Sequence, residues 1–214
     1  MAVQIPRHTF QHLTQAPAQL GMGEIQDDEA LFLYSIVVGM RIERILEIGG
    51  LKGYSATNFL MATGPKGVVY TCDINNVPKM KPNHITIKKS AANLTAEDFD
   101  GIPLEMVFFD CHEYEAQMKA FEALSKARII TDNTVLALHD TNTFPTKHRL
   151  LPPNSYAISD GTYVHQPVER RMVNAFVEMG YSPFLLHTTP DKHFEAYPYR
   201  KGVAIMTKFK PLEV

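Results

Sequence analysis

The feature that most constrains this 214-residue chain is an alternation of short β-rich runs with helical stretches, the runs ending on a glycine, an acid, a serine or a histidine. Arg44–Ile48 is the first such run, and a helical stretch over Tyr54–Ala62 follows it. Val68–Cys72, His84–Lys88, Leu104–Phe109 and Val135–Leu138 repeat the pattern, with a helix over Tyr114–Ser125 and the turn-forming pair Asp132–Asn133 before the last. A helix over Val168–Met179 then precedes Pro183–His187 and Gly202–Thr207, two runs that can pair antiparallel. Upstream, Asp27 and Asp28 occupy an N-cap and first turn ahead of helically spaced Ala30, Leu33, Tyr34 and Val37. Strands alternating with helices predict an α/β fold that is doubly wound. Its sheet is mainly parallel and seven-stranded, covered on both faces, with an antiparallel C-terminal strand.

The length suits a single domain over residues 1–214, with an irregular N-terminal arm over 1–26 and a long Pro-rich loop over 143–167 on the substrate side. That loop carries Phe144, Lys147, Arg149, Tyr156 and Tyr163, which suits an aromatic or anionic partner. A net charge of -2 gives no bulk attraction to nucleic acid or to an anionic membrane. Met1 to Leu20 contains no continuous apolar run, so the expectation is neither a signal peptide nor a membrane span, and a cytoplasmic setting. Two cysteines, Cys72 and Cys111, make no disulfide framework and read as packing residues.

In doubly wound sheets ligands sit beyond the carboxyl ends of the strands, near the point where strand order reverses. Candidate ligands collect at five consecutive ends: Glu47, Gly49 and Gly53; Asp73; Ser90; Asp110; and His139 with Asp140. The first loop reads Glu47-Ile48-Gly49-Gly50-Leu51-Lys52-Gly53-Tyr54-Ser55, which is not the G-x-G-x-x-G of a pyrophosphate cradle. Glu47 would repel a pyrophosphate, but not a ligand carrying an ammonium and a sulfonium. Asp73, one strand later, is placed to accept hydrogen bonds from ribose hydroxyls.

The stretches RILEIGGLKGYSA, VVYTCDI, IKKSAANL, LEMVFFDCHEYE and VLALHDT together resemble the class I S-adenosylmethionine-dependent methyltransferases. The likeness is to the branch of small-molecule O-methyltransferases of the catechol and macrocin types, and it covers about half of the chain, from residue 44 to residue 141. It implies a Rossmann-like fold with S-adenosylmethionine held by Glu47, Gly49, Gly53, Tyr54, Ser55, Asp73, Ile74, Ser90, Ala91 and Asp110. Metal-dependent members hold a divalent cation by an acid after the fourth strand and a pair after the fifth. Here those would be Asp110, His139 and Asp140. Mg²⁺ chelating two neighbouring oxygens of an acceptor would lower a hydroxyl's pKa and align it, although imidazole suits Zn, Fe or Mn better than Mg. The catalytic set implied is Asp110, His112 and His139, with either histidine as base. FFDCHEYE matches the family's F-[IV]-D-G-D-H-x-Y-E only with one residue deleted before His112.

The expected activity is therefore O-methylation of a small molecule with adjacent oxygens, a sugar or a catechol-like ring. Homodimers are common among such enzymes. Two rivals remain: a metal-independent N- or macromolecule methyltransferase, and a non-catalytic cofactor-binding partner protein. His148, His165, His187 and His193 show no tight ligand spacing and read as surface or packing residues.

Overall fold

The computed structural model describes residues 25, 27–141, 144–146, 155–157, 163–165, 168–186 and 202–208. Within them run helix α1 (Asp27–Met40), strand β1 (Arg44–Ile48), helix α2 (Tyr54–Ala62), β2 (Val68–Asp73), β3 (His84–Lys88), β4 (Met106–Phe109), helix α3 (Tyr114–Lys126) and β5 (Val135–Leu138). Three short strands follow, β6 (Phe144–Thr146), β7 (Ser155–Ala157) and β8 (Tyr163–His165), then helix α4 (Val168–Glu178), β9 (Ser182–Leu186) and β10 (Val203–Thr207). The large sheet has the order β3-β2-β1-β4-β5-β10-β9. Its first five strands are parallel, and β10 runs antiparallel to both β5 and β9. This is the predicted architecture. Strand order reverses between β1 and β4, which makes that seam the topological switch point.

Side chains alternate across the sheet with a period of two, and the alternation decides what each face buries. Ile45, Val69, Met106, Phe108, Val135, Ala137, Val203 and Ile205 pack on one face with Leu33 and Val37 of α1 and Phe59 and Leu60 of α2. Leu46, Ile48, Tyr70, Cys72, Val107, Phe109, Leu136 and Leu138 pack on the other with Phe121 and Leu124 of α3 and Met172 and Phe176 of α4. Between β3 and β4 that second face is covered by short 3-10 turns at Ala91–Asn93 and Ala96–Phe99. Continuing the first face by two residues brings Glu47 of β1, Thr71 of β2 and His139 just past β5 to the α1/α2 side.

Strands β6, β8 and β7 form a separate antiparallel sheet with β8 in the middle. It occupies part of the 143–167 segment that the sequence reads as a loop. Pro145 lies on the edge strand β6, where a missing N–H is tolerated. The N-terminal arm falls outside the described residues apart from residue 25, as do His148, His187 and His193. Among the described residues no helix is long and apolar enough to cross a membrane. Both cysteines are free, and burial pushes each thiol up to about 12, so neither supplies a thiolate.

Candidate active site at the strand ends

The backbone ladder extends past the strands and locks their ends together. Gly49 N–H donates to Cys72 O at 2.9 Å, Asp110 N–H to Ile48 O at 2.8 Å, and His139 N–H to Phe109 O at 3.1 Å. At the switch point the two loops touch. Gly49 has φ +95°, and a Cβ there would lie 2.4 Å from the Asp110 carbonyl oxygen. Gly53, at φ +81°, stands before α2, where a Cβ would lie 2.3 Å from Met80 Cε. Gly49 is thus required by close backbone packing against the loop after β4, and Gly53 by its left-handed backbone, since the Met80 tip can move aside.

Glu47 is fully buried beneath this loop. Ser55 donates a short hydrogen bond to its Oε1, and Thr71, its register partner in β2, donates to Oε2 at 2.6 Å. Thr71 Oγ1 in turn lies 2.8 Å from His84 Nε2, and His84 Nδ1 accepts from the Met80 N–H at 3.1 Å. The proton of His84 is therefore assigned to Nε2, and a wire runs from His84 through Thr71 to Glu47. Burial pushes the Glu47 carboxyl up to about 7, against the pull of Ser55 and Thr71. Burial, with Lys79 second, lowers the pKa of His84.

Asp73 closes the same loop from the β2 end. Its Oδ2 accepts from the Gly50 and Leu51 N–H groups at 3.0 and 3.1 Å, and its Oδ1 from Asn75 N–H at 2.8 Å. Beside it two large apolar side chains stand in the open, Leu51 at 56% and Ile74 at 65% exposure. Ser90 and Ala91 lie at the end of the adjacent strand β3, where Lys89 N–H reaches Asp73 O at 3.0 Å. Tyr54 opens α2, and Ser55 is turned inward to Glu47. This half of the rim holds the sequence-derived cofactor residues on adjoining strand ends.

The other half is a compact ionic cluster. His139 is fully buried, with Nδ1 3.2 Å from Asp110 Oδ1 and 3.8 Å from Asp140 Oδ1. Its Nε2 is 3.0 Å from Oε2 of Glu29 on α1, and Glu29 Oε1 accepts from Gly202 N–H at 2.7 Å. His112 sits opposite, its Nε2 3.5 Å from Asp140 Oδ2 and 3.9 Å from Asp110 Oδ1. Its Nδ1 is 3.1 Å from Oε2 of Glu169 on α4, whose Oε1 accepts from His112 N–H at 2.9 Å and from Gln117 Nε2 at 3.0 Å. The backbone is left-handed at both His112 (φ +59°) and Asp140 (φ +52°), a conformation that costs a non-glycine residue about 1–3 kcal/mol. The His112 ring reaches both acids from this turn.

Electrostatics follow from this crowding. The Glu169 hydrogen bond holds His112 up to about 9 against its burial. Burial opposes charge on His139, but Asp110, Asp140 and Glu29 outweigh it and raise its pKa well above the ordinary range. Burial lifts Asp110 to about 6, with His139 pulling the other way. Four carboxyl groups face two imidazoles, so acids outnumber bases in the cluster. Arg170 donates from its guanidinium to the Thr141 carbonyl at 3.2 Å. Asp110, His139 and Asp140 present ligand atoms within 4.8 Å of one another, so the donor set and its charge both fit a divalent cation.

Glu29 and Glu169 were not singled out from sequence. Their signal was an acid on a buried stripe: Glu29 precedes Leu33 and Val37 by one and two turns, and Glu169 precedes Met172, Val173 and Phe176 at helical spacing.

No protein-family model and no curated protein matches this sequence. Solved structures do match. An O-methyltransferase from Bacillus cereus, in complex with S-adenosylhomocysteine, is 16% identical over 96% of this chain and 94% of that one, with a TM-score of 0.54. The S-adenosylhomocysteine-bound methyltransferase PaMTH1 of Podospora anserina is 12% identical over 96% and 89%, at 0.56. A Staphylococcus aureus protein thought to be a caffeoyl-CoA O-methyltransferase is 16% identical over 84% and 82%, at 0.55. The chain shares the Rossmann-like fold of these proteins.

Proposed function

We propose that the protein is an S-adenosylmethionine-dependent methyltransferase acting on an oxygen of a small molecule with adjacent oxygens. The observation that carries this reading is the contact of Gly49 with Asp110 at the switch point. It sets the Glu47–Asp73 rim beside the Asp110–His139–Asp140 cluster, so a donor held by one half meets an acceptor held by the other.

On the cofactor side, Asp73 would hold the ribose hydroxyls, the exposed Ile74 and Leu51 would flank the nucleoside, and the Glu47 carboxylate would favour the ammonium and sulfonium. The S–CH₃ bond breaks as the O–CH₃ bond forms, the sulfur keeps the electron pair, and S-adenosylhomocysteine leaves. The acceptor hydroxyl must lose its proton. Asp110, His139 and Asp140 would hold a divalent cation, which when bound would acidify that hydroxyl and fix its neighbour. His112, 44% exposed at the outer side of the cluster, is the imidazole best placed to meet the acceptor.

Calorimetry with S-adenosylhomocysteine tests the cofactor half: one site per chain is expected, and no heat from folded protein would end the proposal. For the second half, release of S-adenosylhomocysteine is followed with catechols and sugars as acceptors. Asp140→Ala should abolish turnover while leaving cofactor affinity intact. Full turnover in excess chelator would instead favour a metal-independent enzyme, and binding without transfer a non-catalytic partner protein.

A further inference from the structure

We infer that Thr71 and His84 are positioning residues for the ammonium end of the cofactor: a one-way chain of hydrogen bonds, from the Met80 amide through His84 and Thr71, presents Glu47 as an acceptor beneath the glycine loop. The inference rests on the S-adenosylmethionine reading and adds to it two residues that act through Glu47.

The chain crosses three strands on one face of the sheet. Glu47 of β1 and Thr71 of β2 are register partners, and His84 of β3 stands opposite Val69, diagonally two positions from Thr71. Among the described residues β3 is an edge strand. His84 is its one buried residue, at 0% exposure, while its neighbour Ile85 stands 40% exposed. Packing alone would place an apolar side chain at position 84 and a polar one at 85, and the sequence has them the other way round.

Direction comes from counting protons. His84 Nδ1 accepts from the Met80 N–H at 3.1 Å, which leaves the ring proton on Nε2. Nε2 therefore donates to Thr71 Oγ1 at 2.8 Å. The hydroxyl has one proton of its own, and gives it to Glu47 Oε2 at 2.6 Å. Ser55 of α2 donates to the other oxygen. Both oxygens of Glu47 thus accept, which is the pattern of an ionised carboxyl. A proton on Oε2 would have to displace the Thr71 hydrogen, which the His84 N–H prevents from turning round.

The chain works against its surroundings. Burial favours the neutral acid, and Asp110 past β4 and Asp73 at the end of β2 push the same way, so the carboxyl titrates at about 7 even with Ser55 and Thr71 donating. On β3 the facing group is His84, whose own charging is opposed by burial and then by Lys79. With the balance so near neutrality, a single donor decides whether the loop offers a negative charge to an ammonium. The same side chains also underlie the loop. A Cβ on Gly50 would lie 2.2 Å from Thr71 Cγ2 and 3.4 Å from Glu47 Oε2.

The test uses full-length protein treated with chelator, with S-adenosylhomocysteine as the probe. Calorimetry is run from pH 6 to 9.5 on the wild type, Thr71→Val and Thr71→Ser. Affinities are compared as ratios at each pH, so that the ligand's own titration cancels. Thr71→Val keeps the shape and loses the donor. It should bind about tenfold or more weakly at pH 7 and below, and the deficit should shrink to about twofold or less above pH 9, where Glu47 ionises unaided. Thr71→Ser keeps the hydroxyl and should follow the wild type across the range. His84→Leu against His84→Gln, whose amide still donates to Thr71, repeats the comparison one link further out and carries it if Thr71→Val does not fold. Nitrogen-15 spectra of histidine-labelled protein, with His84 assigned by its loss in His84→Gln, should show a neutral ring protonated on Nε2 at pH 7. A deficit equal at every pH, wild-type affinity in both Thr71→Val and His84→Leu, or a His84 ring that is charged or protonated on Nδ1 would overturn the inference. Any of those results with normal wild-type binding removes this inference alone, whereas a wild type that binds no S-adenosylhomocysteine removes the cofactor reading and this inference with it.

Discussion

His139 and Glu29, 110 residues apart in sequence, form a fully buried pair with Nε2 and Oε2 separated by 3.0 Å. The pair joins the end of β5 to α1 on the face that carries the strand-end cluster. Glu29→Ala would leave the His139 ring facing an empty space and the Gly202 N–H unpartnered. Removing one member of a buried pair costs about 3–5 kcal/mol. A loss of that size in unfolding free energy, read from urea titration, is expected, with Glu29→Gln less damaging because its carbonyl still accepts from Gly202.

Glu47 gives the protein a pH-dependent weakness. Its carboxyl titrates near 7 in the fold against an ordinary 4.5, so the folded chain binds a proton that the unfolded chain has released. The stability contributed by the neutral form is complete below 4.5 and is lost as pH rises to about 7, a change of about 3 kcal/mol. Glu47→Gln should therefore stabilise the protein at pH 8 and lose that advantage as pH falls toward 4.5, read from melting curves across the range. The same variant should bind S-adenosylmethionine more weakly at pH 8, because the carboxylate that favours its positive charges is gone.

Gly49 and Gly64 both have positive φ but differ in their surroundings. A Cβ on Gly49 meets the Asp110 carbonyl at 2.4 Å, whereas a Cβ on Gly64 meets nothing within 4 Å. Gly64→Ala should cost only the backbone preference, about 1–2 kcal/mol. Gly49→Ala should cost more and should also abolish cofactor binding, since it drives the loops after β1 and β4 apart. Equal losses in thermal stability would contradict the close approach.

Asp73 spends its carboxylate on three backbone N–H groups of the loops beside it. Asp73→Ala should raise hydrogen exchange at Gly50, Leu51 and Asn75 and weaken S-adenosylhomocysteine by about tenfold or more, each charged hydrogen bond being worth about 1.5–3 kcal/mol. Unchanged exchange at those amides would show that the loop stands without it.

Much of this was legible in the sequence because it is periodic or local. Short apolar runs such as RILEI, VVYTC and VLAL mark strands buried on both faces, and the polar residue after each run marks the rim. His112 was harder. Its motif lacks one residue, and only the left-handed turn at its own backbone shows that the ring reaches Asp110 and Asp140. Glu29 and Glu169 sit in the first turns of their helices, where acids are common for the helix dipole alone. Their partners lie 110 and 57 positions away, and tertiary packing alone makes those acids interior. The β6–β8 sheet was illegible for another reason: strands of three residues, one containing Pro145, are too short to show a period.

Glu29 grips His139 with one oxygen and the start of β10, through Gly202, with the other. One side chain therefore ties the buried imidazole after β5 to the backbone that opens β10, and a shift at either anchor would be passed to the other.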